Sequence, residues 1–244
     1  MDTDDFGQHT SRRFNEELES LRDHVLRMGE LVHAQLLGAI NAVVEDNSDL
    51  GREVARDDYK VNQMEVDIDD VCARILVRRA PAAGDLRLIV AVIKTITDLE
   101  RVGDEAGKIG FLATRLARRD RPPNHYIELS NLGRRVAAML KDALDAFSEL
   151  DIESARRIVA EDKNVNYEYE MIARQSVTFM MEDPKDIKRV IDVLWAARAL
   201  ERIGDHAKNI CEYVIFLVLG KDVRHLKLHE MDDAELASIT SVDP

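Results

Sequence analysis

Two pairs of acidic residues stand at corresponding points of this 244-residue chain: Glu100 with Asp104, and Glu201 with Asp205. Residues four apart on a helix lie one turn apart on the same face, so each pair would bring two carboxylates together. Two like charges at this spacing destabilise an isolated helix by about 0.2–0.5 kcal/mol. Carboxylate oxygens one turn apart can share a hard or borderline metal ion. The repeated pairs therefore predict metal binding.

The spacing alone also has a simpler interpretation. Acidic residues four apart occur often by chance, and they can form a solvated helix face neutralised by neighbouring cations. The basic residues available for this are Arg101, Arg198, Arg202 and Lys208. Spacing by itself favours this interpretation, and only the duplication of the pair favours a metal site. Because the apolar residues form a separate stripe on each helix, both pairs are expected to face outward or into a groove.

The acidic pairs belong to a long internal repeat. Residues 99–109, LERVGDEAGKI, align with residues 200–210, LERIGDHAKNI, and are identical at seven of eleven positions with an offset of 101. One predicted helix earlier, a pattern of Asp followed by Val-Asn recurs with an offset of 104. A repeat that includes neighbouring helices indicates duplicated structural units. The further candidate metal ligands that this earlier helix supplies, one pair in each unit, are Asp58, Asn62, Asp162 and Asn166.

Turn-forming clusters divide the chain into six helical segments. The predicted helices cover 8–46, 49–79, 85–119, 125–149, 152–181 and 186–219. Apolar residues recur in them at three- and four-residue steps, and long antiparallel helices on short loops form bundles. The sequence therefore predicts an all-α fold of two tandem three-helix bundles, at 8–119 and 125–219. They are separated at Pro122 and Pro123 and followed by a polar tail at 220–244.

Composition and charge exclude several classes of protein. A formal charge of −13, without a basic stripe interleaved with aromatic residues, argues against direct nucleic-acid binding. The acidic start does not resemble a signal peptide, and the longest apolar run, 213–219, is far shorter than the roughly 20 residues that span a bilayer. Cys72 and Cys211 have no metal-binding or redox spacing and are expected to be core residues in a reducing compartment. We expect a cytoplasmic protein without membrane insertion.

Enzymatic chemistry is only weakly indicated. Ferritin-like di-iron bundles need Glu-x-x-His on two helices, and only Glu30 and His33 have this spacing. The sequence contains no phosphate-binding loop of the P-loop or GxGxxG type. His206 stands next to Asp205 and could bind a metal, although a surface position is favoured. The sequence therefore predicts a binding protein that is not an enzyme.

Several other residues are expected to have structural roles. Gly103 and Gly204 lie inside predicted helices, where glycine costs about 1 kcal/mol relative to alanine, so close approach of a neighbouring helix is expected. Three aromatic residues could mark a partner surface, although packing in the core or at its boundary is favoured for each. These residues are Tyr167, Tyr169 and Trp195.

The duplicated segment Leu-Glu-Arg-(Val/Ile)-Gly-Asp-x-Ala resembles the PhoU family, the accessory regulators of bacterial phosphate-specific transport. The resemblance covers residues 8–220 and includes FNEEL at 14–18, PAAGDLR at 81–87 and MMED at 180–183. It implies two three-helix bundles side by side that hold metal ions or multinuclear metal clusters. By position the implied ligands are Glu100, Asp104, Glu201 and Asp205, with Asp58, Asn62, Asp162 and Asn166 as weaker candidates. Iron, zinc, manganese and magnesium are all compatible with such oxygen-rich sites.

The resemblance also implies a role in regulation. It implies a negative regulator of phosphate uptake and of the phosphate-starvation response, which acts as a metal-binding adaptor. Its partners would be the ATPase subunit of the phosphate ABC transporter, the phosphate sensor histidine kinase and a second copy in a homodimer. The alternative is a helical interaction module that needs no metal. Because Glu105 and Lys108 stand where the second unit has His206 and Asn209, the two units are expected to differ in metal binding.

Overall fold

The computed structural model describes residues 3–79, 81–118 and 126–223, with side chains from residue 12 onward. These residues form seven α-helices and one 3-10 turn, Pro184–Asp186. The helices are α1 (Thr3–Val44), α2 (Ser48–Asp57), α3 (Tyr59–Arg79), α4 (Ala83–Leu116), α5 (Ile127–Glu149), α6 (Ile152–Glu182) and α7 (Ile187–Leu219). No β-strand occurs in the described ranges. The all-α prediction is confirmed, and the second predicted helix is interrupted at Asp58.

Polar side chains and two left-handed residues set the helix ends. Asn47 Oδ1 accepts a hydrogen bond of 3.0 Å from the Leu50 backbone N–H at the start of α2. Asp151 caps α6 in the same way by accepting from Glu153 and Ser154. Leu150 (φ 55°) ends α5 and Gly220 (φ 73°) ends α7 in the left-handed conformation that closes a helix. These signals explain why the predicted turns lie close to the observed ones.

Helices α4 and α7 lie at the centre and pack against each other. Helices α1, α2 and α3 pack on α4 to form the first half, and α5 and α6 pack on α7 to form the second half. Contacts between α1 and α5 add to the interface, and one hydrophobic core extends through both halves. Both acidic pairs thus lie on the two central helices, where each pair can meet the helix before it.

The described helices include none that is both long and apolar enough to cross a membrane. Cys72 and Cys211 are buried and form no disulfide, as expected of core residues. Of the predicted tail at 220–244, residues 224–244 lie outside the described residues. The predicted boundary at Pro122 and Pro123 lies outside them as well.

Candidate metal centre

The short break between α2 and α3 positions the first acidic site. Asp58 occupies the junction, and its backbone carbonyl accepts from the Val61 N–H at 2.9 Å. A methyl group at Gly103 on α4 would lie 3.1 Å from Asp58 Oδ1 and 3.3 Å from Val61 Cγ1. Since Gly103 stands between Glu100 and Asp104, the glycine lets Asp58 approach the acidic pair. The predicted packing role of Gly103 is confirmed.

The carboxylates of the first half repel one another. Burial raises the pKa of Glu100, and the charges of Asp104, Glu65 and Asp58 raise it further. Burial and then Asp104 likewise raise the pKa of Asp58, while a hydrogen bond from Asn62 and the charge of Lys108 oppose the shift. The structure therefore brings Asp58, Glu100 and Asp104 within electrostatic reach, as the sequence predicted for one unit.

Glu65 on α3 is a member of this site that the sequence analysis missed. Burial raises the pKa of Glu65, and the charge of Asp69 raises it further. A hydrogen bond with Thr97 of α4 lowers it and so opposes the rise. Glu65 lies seven residues after Asp58, which is two helical turns and the same face. That spacing is the sequence signal that could have identified it.

The second half repeats this arrangement with deeper burial. Asp162 on α6 is 5% exposed, and its Oδ2 accepts from Asn166 Nδ2 at 3.2 Å and from Lys208 Nζ at 3.2 Å. Glu201 is 7% exposed, and its Oε1 accepts from Arg198 Nη1 at 2.6 Å. A methyl group at Gly204 would meet Val165 Cγ1 at 3.0 Å, so this glycine also permits close packing.

Repulsion is present in the second half as well. Burial raises the pKa of Glu201, and the charge of Asp205 adds to the rise. Burial also raises the pKa of Asp205, and the negative charge of Asp162 raises it further. The positive charge of Lys208 lowers it. The second acidic pair therefore faces Asp162 of α6 and not open solvent.

The two halves differ in the cations that accompany the carboxylates. Arg198 and Lys208 stand where the first half has Thr97 and Gly107, by the offset of 101. The guanidinium of Arg198 also lies 5.5 Å from the ring centre of Tyr169, which takes the position of Glu65. The second half thus has one carboxylate fewer than the first. It gains Arg198 and Lys208 but has Asn209 where the first half has Lys108, a net gain of one cation.

The donor set suits a hard or borderline metal ion. Asp58 Oδ1, Asp162 Oδ1 and Glu201 Oε2 are buried oxygen atoms that have no hydrogen-bond partner within the described part of the chain. Buried polar atoms normally have such a partner, and a cation would supply one for each of these oxygens. Among the described residues, however, no three His, Cys, Asp or Glu side chains are gathered closely enough to hold a metal ion together. Side-chain rotation would have to complete either site.

The expected positions of three residues, His206, Trp195 and Tyr167, are wrong. His206 is 7% exposed and its Nδ1 lies 2.7 Å from Asp98 Oδ1, so the favoured surface position is incorrect. The partner, Asp98, belongs to the other half and could not be assigned from neighbouring sequence. Trp195 and Tyr167 are both 63% exposed, so packing does not bury them, whereas Tyr169 packs against the core as expected.

Comparison with known proteins places this geometry in a family. The family model described as "PhoU domain" matches the chain twice, at 25–112 and 129–214. The chain is 47% identical over 233 residues to the phosphate-specific transport system accessory protein PhoU homolog of Pseudomonas aeruginosa, covering 96% of both. It is 46% identical over 232 residues to the phosphate-specific transport system accessory protein PhoU of Escherichia coli K12, covering 95% of this chain and 96% of that protein. Both names describe accessory proteins and not enzymes.

Solved structures agree with the sequence comparisons. The crystal structure of PhoU from Pseudomonas aeruginosa matches with a TM-score of 0.83 and 48% identity, covering 85% of this chain and 100% of that one. The phosphate transport system regulatory protein PhoU from Streptococcus pneumoniae matches with a TM-score of 0.80 and 27% identity, covering 86% and 99%. The structural similarity therefore covers nearly all of both solved chains and about 85% of this one.

Proposed function

The chain belongs to the PhoU family, and on this premise we propose that it is an accessory protein of a phosphate-specific transport system that restrains phosphate uptake and the phosphate-starvation response. It acts by contact with the ATPase subunit of the transporter and with the phosphate sensor histidine kinase. The observation that carries the proposal is the match over 95% of the chain to a relative named as an accessory protein of the phosphate-specific transport system. Both repeats take part in that match, so neither half has been replaced.

The regulatory role is tested by deleting the gene. Phosphate-starvation genes should then be expressed in phosphate-rich medium, and the full chain supplied from a plasmid should repress them again. A reporter fused to a starvation promoter gives the measurement. Unchanged repression in the deletion strain would refute the proposed function.

Metal binding is the finer part of the proposal. In the first half the ligands are Asp58, Glu100 and Asp104 together with Glu65. In the second half they are Asp162, Glu201 and Asp205. The buried oxygens without hydrogen-bond partners support this choice. Asn62 and Asn166 are the weaker candidates, because their amides donate to Asp58 and Asp162.

A bound ion would supply positive charge between carboxylates that otherwise repel each other. It would join α4 to α2 and α3 in one half, and α7 to α6 in the other. Elemental analysis of the purified protein tests this, beside a variant that carries Glu100→Ala, Asp104→Ala, Glu201→Ala and Asp205→Ala. Metal that is retained by the wild type and lost from a variant of unchanged helicity supports the ligand assignment. No metal in either, even after incubation with iron, manganese and zinc, counts against it.

The second candidate function is a helical interaction module that needs no metal. The ion pairs of Arg198 and Lys208 favour it, since they neutralise Glu201 and Asp162 within the chain itself. The two functions differ in their response to a chelator. A metal-dependent adaptor should lose partner binding in EDTA, whereas the metal-independent module should retain it.

A further inference from the structure

The interface between the halves contains two corresponding regions that differ in how they are filled. In the first region, Asp98 of α4 is 2% exposed and accepts hydrogen bonds from three side chains of α7. The donors are His206 Nδ1 at 2.7 Å, Asn209 Nδ2 at 3.1 Å and Tyr213 Oη at 2.8 Å. Lys94 lies 5.5 Å from the ring centres of Tyr213 and Phe216. We call this region the closed interface, because its own side chains fill it.

The corresponding region holds different residues at every one of these positions. With the offset of 101, Lys94 and Asp98 are replaced by Trp195 and Ala199. The α7 residues of the closed interface are replaced by residues of α4, namely Glu105, Lys108, Leu112 and Arg115. All six replacements line a groove of about 590 Å³ between α2, α4 and α7. We call it the open groove.

The substitutions explain why the groove is open. Ala199 removes the central carboxylate of the closed interface, and Leu112 is shorter than the corresponding Tyr213. Trp195 is 63% exposed, and Phe111, which also lines the groove, is 56% exposed. Large exposed aromatic side chains around a concave surface are typical of places where a partner inserts an apolar side chain. The groove therefore has room for the ring that Tyr213 supplies on the closed side.

The accessible charge of the groove is positive, although the protein carries −13 overall. Four cations line it with half-exposed side chains: Lys108 (54%), Arg115 (45%), Arg198 (48%) and Arg202 (48%). Their acidic partners, Glu105, Asp192 and Glu201, lie underneath with side chains that are at most 10% exposed. Buried acids thus hold the cations in place and leave their outer faces toward solvent. Asp58 and Asp104, two of the proposed ligands of the first acidic site, also line the groove and add negative charge.

The apolar surface continues beyond the groove. Ile187 and Ile191 precede Trp195 on α7 at four-residue steps and are 36% and 37% exposed. The three residues extend over about 12 Å of helix, given a rise of about 1.5 Å per residue. A small molecule would occupy the groove alone, whereas a peptide segment would also cover this extension. The shape therefore favours a segment of another protein.

We infer that the open groove binds a partner-protein segment in which an apolar side chain is flanked by carboxylates. The apolar side chain enters between Trp195 and Leu112, and the carboxylates meet Lys108, Arg115 and the guanidiniums of α7. The closed interface is the model for this binding mode, because there the chain fills the corresponding space with the ring of Tyr213 and the carboxylate of Asp98. This site goes beyond the proposed function. It shares Asp58 and Asp104 with the first acidic site, but the contacts with the partner segment are made by Trp195, Leu112 and the cations and require no metal.

Photo-crosslinking in the cells that produce the protein tests the inference. Trp195 is replaced by p-benzoylphenylalanine, and the same residue at Tyr167, also 63% exposed, is the matched control. The expected result is a discrete adduct from position 195 and none from position 167. Mass spectrometry of the adduct should map it to a segment with carboxylates beside an apolar residue. An adduct with a basic segment, with a second copy of this chain, or no adduct at position 195 overturns the inference.

Two groove variants distinguish specific docking in the groove from nonspecific binding at the protein surface. Ala199→Phe should fill the groove and abolish the adduct, and Lys108→Gln should reduce it without adding bulk. Circular dichroism confirms that each variant remains folded. Adducts of unchanged yield in both folded variants would refute docking in the groove.

A binding measurement follows from the single tryptophan. The crosslinked segment, made as a peptide, should shift the emission of Trp195, and its amide version with Asn and Gln for the acids should bind about tenfold more weakly or worse. Equal affinities would contradict the role of the carboxylates. If ATP or inorganic phosphate displaced the peptide at low concentration, a small anion would be the occupant instead. When the titration is done in EDTA, neither phosphate-regulated expression nor metal at Asp58 and Asp104 enters the measurement, so the two proposals fail separately.

Discussion

Nδ1 of His206 lies 2.7 Å from Oδ1 of Asp98, which joins the two central helices across the interface between the repeats. The same carboxylate accepts from Asn209 and Tyr213 and is 2% exposed. A buried charge with three donors is stable only while all of its partners remain. The contact therefore couples the folding of one half to that of the other.

Replacing Asp98 by alanine should destabilise the protein by about 2–4 kcal/mol, because two buried donors, His206 and Tyr213, and the half-buried Asn209 lose their acceptor. Urea unfolding measures the free energy. Asp145→Ala is the control, since Asp145 pairs with Lys141 on the surface and should change stability by no more than about 0.5 kcal/mol. A loss for Asp98→Ala as small as that of the control would show that the network does not stabilise the interface.

Two glycines should respond to alanine in opposite directions. A methyl group at Gly51 would lie 2.5 Å from the backbone oxygen of Gly110, where α2 contacts α4. Since backbone cannot move aside easily, Gly51→Ala should cost about 1–3 kcal/mol. At Gly84, in the first turn of α4, nothing lies within 4 Å, so Gly84→Ala should gain up to about 1 kcal/mol. Thermal unfolding of both variants gives the comparison, and a stabilised Gly51→Ala would contradict the close contact.

Local sequence patterns were sufficient to predict the helical segments, apart from the break at Asp58, and to predict which segments carry each acidic set. The spacing of apolar residues predicts each helix, and the turn-forming clusters predict its ends. The internal duplication identified the second helix of each unit as a source of further candidate ligands. Thus the charge of Asp104 raises the pKa of Asp58, and the charge of Asp162 raises the pKa of Asp205, which shows that each pair lies within electrostatic reach. Glu65 could have been predicted by the same reasoning, because its spacing of seven residues from Asp58 is two helical turns.

Contacts between the halves could not be predicted in this way. The pairing of His206 with Asp98 depends on how α4 crosses α7, and no local spacing encodes that. The exposure of Trp195 depends on the same packing, since Ala199 and Leu112 leave the groove beside it unfilled. Aromatic residues usually pack in or near a core, and this tendency led to the wrong prediction for Trp195, which is exposed.

Both thiols should be unreactive in the folded protein. Burial raises the pKa of Cys72 to about 12, and burial likewise raises the pKa of Cys211. Little thiolate then forms at about pH 8, and thiolate is the reactive species. A disulfide reagent such as Ellman's reagent should label both cysteines only in guanidinium chloride. Ala73→Cys, an exposed thiol beside Cys72, is the positive control, and rapid labelling of the wild type would contradict the burial.

The metal-free protein should lose stability as the pH rises above the usual glutamate range. The pKa of Glu201 is 4.5 when unperturbed and is raised in the fold by burial and Asp205. The folded state therefore holds the proton at a pH where the unfolded state has released it, and folding becomes less favourable through that window. Glu201→Gln does not ionise, so its stability should fall less steeply with pH. Urea unfolding in EDTA at several pH values measures both slopes, and identical slopes would contradict the pKa shift.

The two acidic sites should differ in affinity for a divalent cation. The first half has Glu65 where the second has Tyr169, and it has Thr97 and Gly107 where the second has Arg198 and Lys208. A cation entering the second site must displace the ammonium of Lys208 from Asp162, 3.2 Å away, at a cost in Coulomb energy. Calorimetry with Mn²⁺ should therefore show tighter binding in Glu201→Ala, which retains the first site, than in Glu100→Ala, which retains the second.

Removal of Lys208 tests the electrostatic cause directly. In a Glu100→Ala background, Lys208→Gln should tighten Mn²⁺ binding at the second site by about tenfold, the equivalent of about 1.4 kcal/mol. Lys188→Gln, at an exposed position of α7, removes the same charge away from the carboxylates and should have little effect. Equal gains from both variants would attribute the effect to the overall charge of −13 and not to the ion pair with Asp162. A gain from Lys208→Gln alone would mean that Lys208 weakens metal binding in the second half by its ion pair with Asp162. The first half has Gly107 at this position and lacks that competition.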